Sequence, residues 1–157
     1  MKKLRPFIPT REKLESFVLK LKDRYLYLSD ENRNEAWISM LIAAQMFGPR
    51  KSAWYEIGDW QGMIAVVDII PGWRGEVLFK IWDKSAWGPD LCRDILELKN
   101  TLAREFGIRR FSIQTPDESM TKLVKFIGFE QEGQLKDAFM WDGKLYDLNC
   151  FSCMKEA

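Results

Sequence analysis

The 157-residue sequence contains no histidine, which removes serine–histidine and cysteine–histidine hydrolases. Proton transfer in this chain must use Asp, Glu, Tyr, Lys, a thiol or water. Three cysteines are present, Cys92, Cys150 and Cys153, and the last two have C-x-x-C spacing in "CFSC". They fall in an apparent terminal strand, where residues three apart point to opposite faces. With no second pair and no histidine, a tetrahedral zinc site lacks ligands. Both read as ordinary strand thiols. More informative is "KIWDKSAWGPDLCRDILELKNTLAREFG": a strand-like run, a short loop beside two tryptophans, then a long amphipathic helix. The start of such a helix offers unpaired N–H groups and a positive dipole end, which together favour an anion. Gly-Pro-Asp is also an ordinary helix start, and Trp82 and Trp87 can simply cover a core.

Length and composition narrow the setting. A chain of this size suits one domain with one substantial core, and 46% hydrophobic with 30% charged residues indicates a globular protein. A formal charge of +1 gives no general attraction to nucleic acid or an anionic membrane. No apolar run approaches the ~20 residues that cross a bilayer. The basic start "MKKLRPFIPTREKLE" lacks the apolar core of a signal peptide. Few cysteines suggest a reducing compartment, and the expectation is a cytoplasmic protein.

The elements that must position any chemistry follow from periodicity. "LRPFIP" reads as a short strand, and Thr10 caps a helix striped by Leu14, Phe17, Val18 and Leu21. A second helix is expected from near Asp30, with Trp37, Leu41 and Ala44 on one side and "FGPR" as its stop. "SAWYEIG" and "GMIAVVDII" read as strands joined by a hairpin at Asp59–Gly62. In "RGEVLFKIW", Val77, Phe79 and Ile81 alternate against Glu76, Leu78 and Lys80. Leu91, Ile95, Leu98, Leu102 and Phe106 then recur at helical spacing until Gly107. A strand "RRFSIQT", a short helix "DESMTKLVKFI" and a β pair turning at "WDGK" complete the chain. The order β-α-α-β-β-β-α-β-α-β-β predicts an α/β fold in one domain, residues 1–157. It is a mixed sheet of about seven strands with about four helices on both faces. Residues near 76–82 and 109–115 should be parallel neighbours, because a long helix connects them.

That order, with "IGFEQEGQLKDAFMWDGKLYDL" after the last helix, resembles the GNAT (GCN5-related N-acetyltransferase) superfamily. Gly128, Phe129, Glu132, Gly133, Asp142 and Gly143 match a G-F, E-G and D-G series common in it. The resemblance implies acyl-CoA in a splay between the fourth and fifth strands, with its pyrophosphate at a Q/R-x-x-G-x-G/A loop opening the third helix. The corresponding stretch is "SAWGPD", with Ser85 in the Gln/Arg place, Gly88 as first Gly and Asp90 in the second Gly/Ala place. Pro89 removes one N–H donor, and Asp90 could cap the helix in competition with phosphate. The implied cofactor contacts are Ile81, Trp82, Asp83, Ser85, Ala86, Trp87, Gly88, Pro89, Asp90 and Leu91. Asp117 stands in the place of a family Asn, and Lys122 and Lys125 are candidates for the adenosine phosphate end.

The resemblance also proposes catalytic groups. Val124 replaces the tyrosine that serves some members as general acid, and Ser119 lies one position from the family serine, which Met120 replaces. Glu76 on the fourth strand is the first candidate base. Asp68 is the second, because an apolar strand raises a carboxylate pKa. The expected activity is transfer of an acetyl group from acetyl-CoA to an unidentified amine by direct attack, with a fourth-strand amide polarising the carbonyl. Trp54, Trp60 and Trp73 fall where a pocket lip could lie, or simply brace core and hairpins. The degenerate loop suits an alternative, a catalytically eroded structural or interaction protein such as a phage virion component. Balanced charge argues against nucleic-acid modification. Terminal strands of such folds often pair between subunits, which leaves a homodimer open.

Overall fold

The computed structural model describes residues 1–23 and 27–154. Seven strands form a single sheet in the order β1-β2-β3-β4-β5-β7-β6. They are β1 (Leu4–Pro6), β2 (Lys51–Ile57), β3 (Gly62–Ile70), β4 (Arg74–Ile81), β5 (Arg110–Thr115), β6 (Glu130–Trp141) and β7 (Lys144–Met154). The helices are α1 (Arg11–Asp23), α2 (Glu35–Phe47), α3 (Pro89–Phe106) and α4 (Glu118–Phe126). Every pairing is antiparallel except β4 with β5, which the α3 crossover makes parallel. The mixed sheet, its element order and this parallel pair are as the periodicity predicts.

Strand alternation divides the apolar residues between two faces. On one face Val66, Val77, Phe79, Phe111 and Phe151 meet Leu91, Ile95, Leu98 and Leu102 of α3 and Leu123 and Val124 of α4. On the other, Met63 packs with Phe17 and Leu21 of α1, Ile38 and Ile42 of α2, and the rings of Trp54, Trp60 and Trp82. Burying each such large side chain stabilises by about 1.5–3 kcal/mol. β1 is tied down separately: the buried Asp94 carboxylate of α3 accepts the N–H groups of Lys3 and Leu4 at 2.5 and 3.0 Å.

Two local expectations need correction. The second helix starts at Glu35, capped by Asn34, whose side chain accepts from Ala36 and Trp37. Asp30 opens only a 3₁₀ turn, and its carboxylate instead receives the Asp142 and Gly143 N–H groups of the β6–β7 turn, both at 3.0 Å. The buried side of α2 carries Ile38 and Ile42, while Trp37 and Leu41 are exposed. Because "EAWISMLIAAQMF" is apolar nearly all round, periodicity cannot choose its inner face. The "WDGK" turn holds as expected, with Asp142 and Gly143 at φ +46° and +72°. Cys150 and Cys153 lie on β7 as free thiols, and no metal-binding group of three or more His, Cys, Asp or Glu occurs among the described residues. No helix among them is long and apolar enough to cross a membrane.

Candidate active site

The site begins where β4 and β5 separate. Their ladder joins Arg74, Gly75 and Glu76 to Arg110, Phe111 and Ser112, and then stops, although β4 runs on to Ile81 and β5 to Thr115. β5 stays paired with β7 to its end, so the gap opens on the β4 side. Trp82 donates its N–H to Gln61 O at the β3 side. By antiparallel alternation, Phe79 and Ile81 therefore turn their backbone groups toward the gap. A cavity of about 300 Å³ fills it, lined among others by Tyr27, Asn32, Glu76, Lys80, Gln114 and Asp117. A second, of about 320 Å³, adjoins it through Tyr27, Asp117 and Met120 and reaches Ile81, Trp82, Lys84, Trp87 and Ser119.

This second cavity ends at the loop before α3. Asp83 caps a 3₁₀ turn at Lys84–Ala86 by accepting the Ser85 N–H at 2.9 Å, and Ser85 Oγ receives Gln61 Nε2 at 2.8 Å. Ala86 and Leu91 are buried core residues. The N-cap of α3 is Gly88, with no side chain to satisfy the helix start. Asp90 is not the cap: its carboxylate turns to Arg93 at 3.0 Å. The first helical bond runs from Cys92 N–H to Gly88 O, which leaves the Asp90 and Leu91 N–H groups at the helix start without an intrahelical acceptor. A Cβ built on Gly88 would meet nothing within 4 Å, so there is open space before these donors. The Trp87 indole N–H is buried without a partner. An orphaned donor and an open helix start suit an acceptor-rich ligand, with fewer donors than a loop lacking Pro89 would offer.

The candidate carboxylates differ in setting. Glu76 lines the gap, half-buried, and burial with the nearby Asp68 charge raises its pKa above the ordinary carboxylate range. Asp68 lies at the β3 bulge with φ +49° and is paired with Arg50 at 3.1 Å. It lines neither cavity. At the α4 end, Asp117 caps the helix by accepting the Ser119 N–H at 2.8 Å, and its Oδ1 also accepts the Ser119 hydroxyl at 2.7 Å. Lys122 and Lys125 are exposed on α4 and line neither cavity. Val124 is fully buried in the core.

Sequence reasoning missed two residues here. Tyr27 borders both cavities, and its phenol donates to Ile81 O at the end of β4. Lys80 projects into the gap from β4, donates to Tyr27 O at 3.1 Å and lies 5.5 Å from the Tyr27 ring centre. Burial pushes the Lys80 amine down to about 8, against a smaller opposing pull from Glu76. The alternation Glu76, Leu78, Lys80 places Lys80 on the Glu76 face of the strand, a signal readable in the sequence. Nothing local points to Tyr27. Of the two readings of the tryptophans, core bracing holds for Trp54 and Trp60, which pack in the α1–α2 cluster, while Trp73 is exposed beside Arg74. Trp82 joins that cluster, donating Nε1 to Trp60 O at 2.5 Å, and also borders the second cavity.

No protein-family model matches the sequence, and no curated protein matches it. Solved structures do match over nearly the full chain. Spermidine N-acetyltransferase from Vibrio cholerae, in complex with CoA and spermine, superposes with a TM-score of 0.75 at 13% identity, covering 98% of this chain and 96% of that one. An acetyltransferase from Salmonella typhimurium that modifies the N-terminal serine of ribosomal protein L7/L12 gives 0.71 at 17%, covering 99% and 97%. The microcin C7 self-immunity acetyltransferase, in complex with acetyl-CoA and AMP, gives 0.71 at 17%, covering 99% and 94%. With its seven-stranded mixed sheet parted between β4 and β5, this chain has the fold of the GNAT acetyltransferases.

Proposed function

We propose that the protein is an N-acetyltransferase that takes an acetyl group from acetyl-CoA and gives it to an amine. The observation that carries this reading is the gap past Glu76 and Ser112, continuous with a second cavity that ends at the uncapped start of α3. Acetyl-CoA supplies an activated thioester, and the chain has to hold and orient it. Backbone groups of Phe79 and Ile81 receive the amides of the pantetheine arm and polarise the thioester carbonyl. The Trp87 indole and the N–H groups of Asp90 and Leu91 face the pyrophosphate. Lys122 and Lys125, exposed on α4, are the candidates for the outer phosphate end.

Glu76 takes the proton from the incoming amine, because it lines the gap and its raised pKa makes it a stronger base than an ordinary carboxylate. Asp68, held by Arg50, acts on Glu76 through its charge rather than by contact. Ser119 stands at the cavity wall where the thiol departs; its hydroxyl, which donates to Asp117 in this structure, turns to give its proton to the leaving sulfur and is reprotonated from water. Binding the amine beside the thioester supplies the orientation that direct attack requires.

A second reading keeps the fold and drops the chemistry: an eroded interaction protein, for instance a virion component. Pro89, the Asp90 carboxylate and the buried Val124 favour it. Calorimetric titration with acetyl-CoA and free CoA separates the two. Micromolar binding supports the transferase. Absence of binding at millimolar ligand overturns it in favour of the interaction protein.

A further inference from the structure

Lys80 has no task in the transfer just described, yet it occupies the chamber where the thioester would lie. Its side chain leaves β4 on the same face as Glu76, within the cavity walled by Tyr27, Ser29 and Asn32 on one side and by Gln114 and Thr115 on the other. Its amine donates to one backbone oxygen, that of Tyr27. The charged and titratable groups facing it are Glu76 on its own strand, Tyr27 ahead of α2 and Asp117 at the start of α4. Among the described residues, no carboxylate lies within salt-bridge distance of the amine.

We propose that Lys80 is a self-acetylation site, its amine accepting the acetyl group of acetyl-CoA held in the β4–β5 gap. The inference rests on the transferase reading above. In the step, the neutral amine of Lys80 forms an N–C bond to the thioester carbonyl as the C–S bond breaks. The departing sulfur keeps the bonding pair and gains a proton, and the nitrogen loses one to Glu76 or water. The products are an acetamide on Lys80 and free CoA, and no oxidant or further reactant is needed. Two features favour the step. Enclosure keeps a far larger share of this amine neutral near pH 7 than in an ordinary lysine of pKa about 10.4. Acetylation also removes a charge that the cavity disfavours. The acetamide then fills part of a chamber of about 300 Å³, so the modification narrows the space left for an external amine.

The test uses the full chain with isotope-labelled acetyl-CoA, digestion and mass mapping of every lysine, beside a CoA titration of the same preparation. Lys80 should label at least about tenfold faster than the exposed Lys122 and Lys125, with a rate that rises with pH and levels above about 8. Excess free CoA should suppress the labelling, and unfolding in urea should abolish the preference. Lys80→Arg, with its melting curve intact, should show no such site. If CoA binds but Lys80 labels no faster than Lys122, the self-acetylation is wrong and the transferase reading stands. If CoA does not bind and no lysine is preferred, both fail.

Discussion

Glu76 of β4 and Ser112 of β5 are the last partners in a parallel ladder that both strands outrun. The separation has a local cause on each side. β5 is held to β7 through Thr115, opposite Asn149, so it cannot follow β4. β4 is held to β3 through Ile81, opposite Gly62, so it cannot follow β5. Two antiparallel ladders that continue past this point pull the parallel one apart, and the polar backbone exposed between them makes a place for an extended ligand.

Glu76→Gln keeps the size of the side chain and removes its ability to accept a proton. The variant should bind CoA as the parent does and lose about 10²–10⁴-fold in kcat. A base works only when deprotonated, so the parent's acidic limb should lie above the ordinary carboxylate range, in line with the raised pKa. A steady-state pH profile on a responsive amine checks this. Less than about tenfold loss in kcat would assign proton removal to another group.

Asp90→Asn tests whether the start of α3 faces phosphate. The carboxylate is an anion beside the proposed pyrophosphate, so its removal should tighten CoA binding by about threefold to tenfold, roughly 1 kcal/mol. Because Gly88 rather than Asp90 is the cap, stability should fall only by about 0.3–1 kcal/mol through the lost interaction with the helix dipole. Weaker CoA binding by a folded Asn variant would mean that the loop does not receive the phosphates.

What the sequence showed and hid divides by range. Helix α3 and the Asp142–Gly143 turn were legible because periodicity and turn chemistry are local. The inner face of α2 was hidden because its apolar residues do not segregate. Glu132 of the E-G pair matched a family pattern, and its carboxylate serves to join strands: it accepts from Arg110 at 2.7 Å and from Ser152 at 2.6 Å. Tyr27 was invisible because its bond to Ile81 spans 54 residues and exists only once the chain has folded. Lys80 stood in an alternating strand, but an amine's enclosure depends on walls supplied by distant segments.

Asp94→Ala should loosen β1. The carboxylate, 3% exposed, accepts the N–H groups of Lys3 and Leu4, and alanine leaves both without that partner. Hydrogen bonds to a charged group make the expected loss about 2–3 kcal/mol. Urea unfolding measures it, and hydrogen exchange should place the earliest opening at Leu4. Unchanged stability would show that water replaces the carboxylate at no cost.

Lys80→Met should stabilise the protein at pH 7 and not at high pH. The folded amine has a pKa of about 8, below the ordinary lysine value of 10.5. Below pH 8 both folded and unfolded states are protonated, and the folded state carries the full penalty of an enclosed charge. Between about 8 and 10.5 the unfolded state binds more protons, so the parent's stability rises with pH. Above 10.5 the penalty is gone. Methionine never carries it, and gives up the bond to Tyr27 O in exchange. The net gain at pH 7 should be about 1–2 kcal/mol, after discounting for solvent that still reaches the half-buried side chain. Urea unfolding of both proteins at pH 7 and about pH 10 tests the difference, with the gain shrinking toward the higher pH. Equal gains at both values, or a loss at pH 7, would mean that the amine is not disfavoured where it stands.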